Sequence, residues 1–145
     1  MWLLIEREVR LVKFSDIEAD RWPELQPFMD TCLLPVTGLS GTENPWQAVA
    51  ALERLRDAMD VIEIPYKGRI VAYPAVQYAD EQSVALLGHL VQNLRKAGFR
   101  YVVIVSAALR LDNLSEADLV VSPDNEGKMP DAAEARELIR KLWNA

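Results

Sequence analysis

The sequence predicts an α/β fold: a three-layer sandwich with a small, mostly parallel sheet of four to five strands and helices on both faces. Three observations predict it. Short continuous apolar runs, rich in β-branched residues, alternate along the chain with longer stretches of helical periodicity. The runs are apolar at successive positions, as strands covered on both faces are in parallel sheets. Cap residues and glycines punctuate the change from one pattern to the other. Such alternation leads to right-handed strand–helix–strand crossovers.

The elements follow in chain order. Residues 1–12 read as an N-terminal extension or arm, in which Glu6–Val12 could form an edge strand, and residues 13–145 as one α/β domain. Ser15 with Glu18 makes a capping box and predicts a helix carrying Ile17 and Trp22, broken by Pro23 and Pro27. Cys32–Val36 is the first core strand, closed by Thr37-Gly38. Asn44-Pro45, an N-cap followed by proline at the first helical position, opens a helix. Trp46 is expected on its apolar face with Val49, Leu52, Leu55, Met59 and Ile62. Tyr66 and Lys67 read as a solvated turn ahead of Gly68. Ile70–Val76 is the second strand, with Pro74 at or near its end because proline cannot donate to a ladder. Asp80 caps a helix with Val84, Leu87, Leu90, Val91 and Leu94 on one stripe, ended by Ala97-Gly98. Tyr101–Val105 is the clearest strand, Leu119–Val121 a short fourth, and Asp131 with Glu134 opens a final helix on which Ala135, Leu138, Ile139 and Leu142 share a face.

Composition narrows the function. The 145 residues suffice for one core, burying roughly 70% of the surface exposed by the unfolded chain. A net charge of −6 argues against nucleic acid and anionic membrane as partners. One Cys and one His cannot build a zinc cage or an internal disulfide. The Trp2–Ile5 run is too short for a signal or a spanning helix, so a cytoplasmic location and no membrane insertion are expected.

In open parallel sheets ligands bind beyond the carboxyl ends of the strands. That rule selects Thr42 and Glu43 after the first core strand, Tyr78 and Asp80 after the second, Ser106 and Arg110 after the third, and Asp124 after the fourth, as candidate ligand-binding residues. Thr37, Gln77, Ser122 and Asn125 lie beside them. None forms a known catalytic signature. Gly38–Thr42 lacks the dinucleotide spacing and a phosphate-loop lysine, and Ser106 lacks the glycines of a nucleophile elbow. His89 falls on the flank of a helix, away from the strand ends, and Asp124-Asn125-Glu126 lacks the spacing of a calcium loop. No catalytic residue, metal ligand or cofactor is assigned.

Two resemblances bear on this reading. Tyr66–Tyr78, Asp30–Val36, Gly98–Ser106 and the terminal helix resemble an uncharacterised YpiF-like family of Bacillus relatives, from about Phe14 onward. That family implies no activity. More distantly, Leu34-Pro35-Val36 with Thr42-Glu43, the Pro74–Tyr78 strand end and Gly98-Phe99-Arg100 resemble the pattern of creatininase-like amidohydrolases, which carry a metal site at the strand ends. That family's metal ligands are replaced here by Asn44-Pro45-Trp46 and Ser106-Ala107-Ala108-Leu109, leaving Glu43 alone, and one carboxylate cannot hold a divalent ion. The resemblance therefore implies a degenerate scaffold without its chemistry. The expectation is a non-catalytic binding or assembly module, with exposed Trp2, Leu3 and Leu4 inviting a protein partner or self-association through the arm. The competing expectation is a metal-independent small-molecule binder or hydrolase using the strand-end residues.

Overall fold

The computed structural model describes residues 12–145, and all its strands join one sheet. These are β1 (Val12–Lys13), β2 (Thr31–Leu39), β3 (Ile70–Ala72), β4 (Val76–Tyr78), β5 (Tyr101–Ser106) and β6 (Leu119–Val121). Their order is β1-β3-β2-β5-β6, with β4 also on β2, and every pairing is parallel. The helices are α1 (Trp22–Leu25), α2 (Pro45–Glu63), α3 (Val84–Lys96) and α4 (Ala132–Asn144).

Strand alternation assigns the layers. Cys32, Leu34 and Val36 of β2, with Val102 and Ile104 of β5, point to one face and pack against Leu87 and Val91 of α3, Phe99, Leu111 and Leu114. Leu33, Val103 and Val105 point to the other face, against Leu55 and Ile62 of α2 and Ile139 of α4. The three-layer α/β sandwich is as the sequence predicts.

Six strands replace the expected four to five, partly because the second core strand is split. Thr31 N–H donates to Arg69 O, and Tyr73 N–H donates to Leu33 O, so the odd-numbered residues of β2 turn their amides toward β3. Pro35 lacks the amide that would continue this row. Its empty position faces Tyr73-Pro74-Ala75, where β3 ends and β4 has not begun. Pro74 thus interrupts the strand, where it was expected near its end. Nor does β2 stop at Thr37-Gly38. It runs to Leu39 through a bulge, since two β2 residues between Val36 and Leu39 oppose the single Gln77 of β4. Gly38 supplies the positive φ of 81° at that point.

Two helical expectations fail for identifiable reasons. The Asp16 carboxylate accepts from Lys13 N–H at 2.9 Å and closes a three-residue 3-10 turn, Phe14–Asp16, where a helix from Ser15 was predicted. In α2 the steps of three from Trp46 to Val49 to Leu52 drift about 60° each around the axis. All three are exposed, Trp46 at 72%, while Ala51, Leu55 and Ile62 make the buried face. Tyr66 is also no solvated turn. Its ring meets Trp143 edge-on at 4.8 Å and its hydroxyl donates to Arg136 O at 3.0 Å.

Candidate functional site

The crest at the carboxyl ends of the strands holds all the residues selected from sequence, and the structure shows what occupies each. Ser40–Asn44 leads from β2 into α2. Glu43 accepts from Gly41 N–H at 2.9 Å and from Ser40 N–H at 3.0 Å, and takes the Ser40 hydroxyl at 3.1 Å. These donors, the Ser40 amide first, lower its carboxyl to about 2. Thr42 is exposed and shares a 2.7 Å hydrogen bond with the Ser40 hydroxyl. Asp80 accepts from Gln82 N–H at 2.8 Å and caps the turn Glu81–Ser83 that opens α3. Asp124 accepts from Glu126 N–H at 2.8 Å and Lys128 N–H at 2.9 Å. The Lys128 and Glu126 amides, aided by the charges of Lys128 and Arg110, hold it below the ordinary carboxylate range. Arg110 itself donates to Asp112 at 2.8 Å on the surface. Ser106 is fully buried, and its Oγ accepts from Leu109 N–H at 3.0 Å.

Arg110 and Asp124 are near enough for their charges to interact, and Thr42 and Glu43 share the Ser40 hydroxyl. Asp80 and Ser106 each close their own turn, and Tyr78 stands exposed on β4. The strand order reverses between β2 and β5, which is where a doubly wound sheet opens its ligand crevice. Here Leu109 lies against Gly38, and a Cβ on Gly38 would stand 3.3 Å from the Leu109 Cβ. The crevice is filled by the chain itself. On the opposite edge of β2, Thr37 Oγ1 donates to Gln77 Oε1 of β4 at 2.7 Å. His89 is exposed on α3, so Ser106 has no imidazole to activate it. Among the described residues no three His, Cys, Asp or Glu side chains stand close enough to hold a metal ion. No helix among them is long and apolar enough to cross a membrane.

Two features were missed in the sequence. At the amino ends of the strands, Asp30 receives Arg69 through Nε at 3.0 Å and NH2 at 3.2 Å, and Arg69 lies 3.9 Å above the Trp143 ring. Trp143 Nε1 donates to Thr31 Oγ1 at 2.9 Å, which ties α4 to β2. These residues act as a structural clasp.

The second feature is the sheet edge at β4. This strand pairs only with β2 among the described residues, and β1 covers only the lower part of the same edge, beside β3. Ala79 N–H donates inward to Leu39 O, so by alternation the amide of Tyr78 points outward. Tyr78 is 67% exposed. Exposed Val49 and Leu52 lie on the α2 flank shared with Glu63, which reaches toward β1, and exposed Leu86 lies on α3. Helical spacing sets these side chains along both flanks of the open edge. The unused steps of three in α2 were the signal for this face.

Among the described residues, the fold is an open, all-parallel α/β sheet whose strand-end acidic residues are held in their own turns. The chain belongs to the family described as "Protein of unknown function (DUF2487)", which matches residues 20–141. No curated protein and no solved structure matches it.

Proposed function

We propose that this chain is a non-catalytic assembly module, built on a creatininase-like layout without metal ligands, whose arm docks on the β4 edge of a second copy. The observation that carries this reading is the coincidence of the outward-pointing Tyr78 amide, on an edge strand paired on one side only among the described residues, with exposed Val49, Leu52, Tyr78 and Leu86. A strand edge offers unsatisfied main-chain donors and acceptors, and flanking apolar side chains add burial when a segment pairs with it. Trp2-Leu3-Leu4-Ile5, which lies outside the described residues, supplies an apolar run suited to such pairing. Six residues, Glu6–Leu11, separate it from Val12 on the same sheet edge, a reach of up to about 20 Å. The strand-end residues Thr42, Glu43, Asp80, Ser106 and Asp124 are engaged in their own turns, which weighs against the hydrolase reading.

Sedimentation velocity on the full chain tests this. The expected result is a reversible dimer, reduced to monomer both by Leu4→Glu in the arm and by Tyr78→Glu at the edge. Each single variant lacks one half of the contact, so mixing the two restores one arm-and-edge pairing and a heterodimer. A wild type that stays monomeric to roughly 100 µM overturns the proposal. Variants that dimerise like the wild type overturn it equally.

A further inference from the structure

We propose that the cleft between α2 and α4 binds a small molecule with an apolar body and a single carboxylate. This site lies apart from the β4 edge and does not depend on the assembly reading. The cleft encloses about 390 Å³, whereas an engineered apolar cavity of about 150 Å³ already admits benzene. It opens at the carboxyl ends of β5 and β6, since Ala107 follows the one and Val121 ends the other. Its floor is apolar: Ile62, Val121 and Ala135 are each at most 3% exposed. Ala58 and Met129 line the walls, and the unbranched thioether adapts to ligands of differing outline.

The rim sets the ligand's charge. Arg54 and Asp57 both border the cleft. Asp57 stands 3.6 Å from Arg56, while Arg54 has no acidic partner within ion-pair distance among the described residues. Lys128, beside the lining residues Gly127 and Met129, is offset by Asp124, whose carboxylate accepts its amide and feels its charge. One uncompensated guanidinium therefore remains at the mouth of an apolar hollow. Its planar fork matches a carboxylate, whereas a ligand ammonium would meet like charge. An aryl or medium-chain acyl acid satisfies both parts of the cleft.

The test uses the full chain with 1-anilinonaphthalene-8-sulfonate, an apolar anion whose fluorescence rises in such sites, and three eight-carbon competitors. Octanoate is expected to displace the probe from one site per chain, octanol more weakly, and octylamine least. Arg54→Gln should weaken octanoate about tenfold while leaving octanol unchanged. Ala58→Trp should fill the cleft and abolish probe binding, with thermal melting confirming that each variant folds. If Ala58→Trp does not fold, the competitor series on wild type and Arg54→Gln decides alone. Tyr78→Glu, at the sheet edge, should leave the signal intact. Octylamine competing as well as octanoate, or octanoate affinity unaltered in Arg54→Gln, overturns the proposal. A probe signal that survives a folded Ala58→Trp, or one that Tyr78→Glu removes, does so too.

Discussion

Replacing Lys13 by Met should destabilise the protein in a way that disappears on acidification. Glu63, the last residue of α2, is only 2% exposed, and its Oε2 has no hydrogen-bond partner among the described residues. Its Oε1 accepts from Lys13 Nζ at 2.7 Å. Burial is the main influence on Glu63 and raises its carboxyl above the ordinary 4.5; the Lys13 hydrogen bond and charge oppose that rise, and the Asp60 charge adds to it. Removing one partner of a fully buried pair costs about 3–5 kcal/mol. Lys13 is 40% exposed and its share is screened by water, which reduces the expected loss at neutral pH to about 2 kcal/mol. For a chain of this size that lowers Tm by about 4–8 °C.

The sign with pH follows from linkage. A carboxyl whose folded pKa is raised holds its proton more tightly when folded, so its contribution is complete below 4.5 and is lost as pH rises through the folded value. Once protonated, Glu63 no longer needs Lys13. Urea denaturation of wild type and Lys13→Met at neutral pH and near pH 4.5 should show a difference that shrinks by at least about half at the lower pH. The double variant Lys13→Met/Glu63→Leu, which leaves no buried charge, should recover wild-type stability. A difference below about 0.5 kcal/mol at neutral pH, or one independent of pH, refutes the reasoning.

Three further outcomes follow from the geometry. Cys32 is wholly buried and its thiol is pushed up to about 12 by that burial, so a thiol-specific disulfide reagent should react only in denaturant; rapid labelling of native protein would contradict this. Gly38→Ala forces a side chain onto a φ of 81° and crowds Leu109, and should lose about 2–3 kcal/mol in urea melts, whereas Gly41→Ala, with open space around it, should lose about 1 kcal/mol. Equal losses would mean that Leu109 does not close the crevice. Asn44→Ala removes a capping box in which Asn44 Oδ1 accepts from Gln47 N–H at 2.9 Å and Gln47 Oε1 accepts from Asn44 N–H at 3.0 Å, and should lower stability by about 1 kcal/mol in the same assay.

What was legible in the sequence was what depends on neighbours along the chain. Tyr101–Ser106 reads as a strand because every residue from Val102 to Val105 is β-branched and both faces are covered. Asn44, Asp80 and Asp131 read as caps because each precedes its amide by two or three residues. What escaped depends on partners across the sheet. The split between β3 and β4 needs Pro35 and Pro74 to face one another, and no local pattern carries that. The same distinction governs the site. The strand-end rule found Glu43, Asp80 and Asp124, yet each acidic side chain lies within four residues of free amides, before it for Glu43 and after it for the two aspartates, and local hydrogen bonds claim it before any ligand could. The clasp of Asp30, Arg69 and Trp143 joins residues more than a hundred positions apart and was invisible for that reason.

Amide hydrogen exchange at β4, followed over a range of protein concentrations, tests the assembly claim most directly. The Ala79 amide faces β2 and should be protected at every concentration. That of Tyr78 should exchange freely in dilute wild type, become protected as concentration rises, and stay unprotected in Leu4→Glu. Protection of Tyr78 that never varies with concentration, or that persists in Leu4→Glu, would contradict docking of the arm on a second copy.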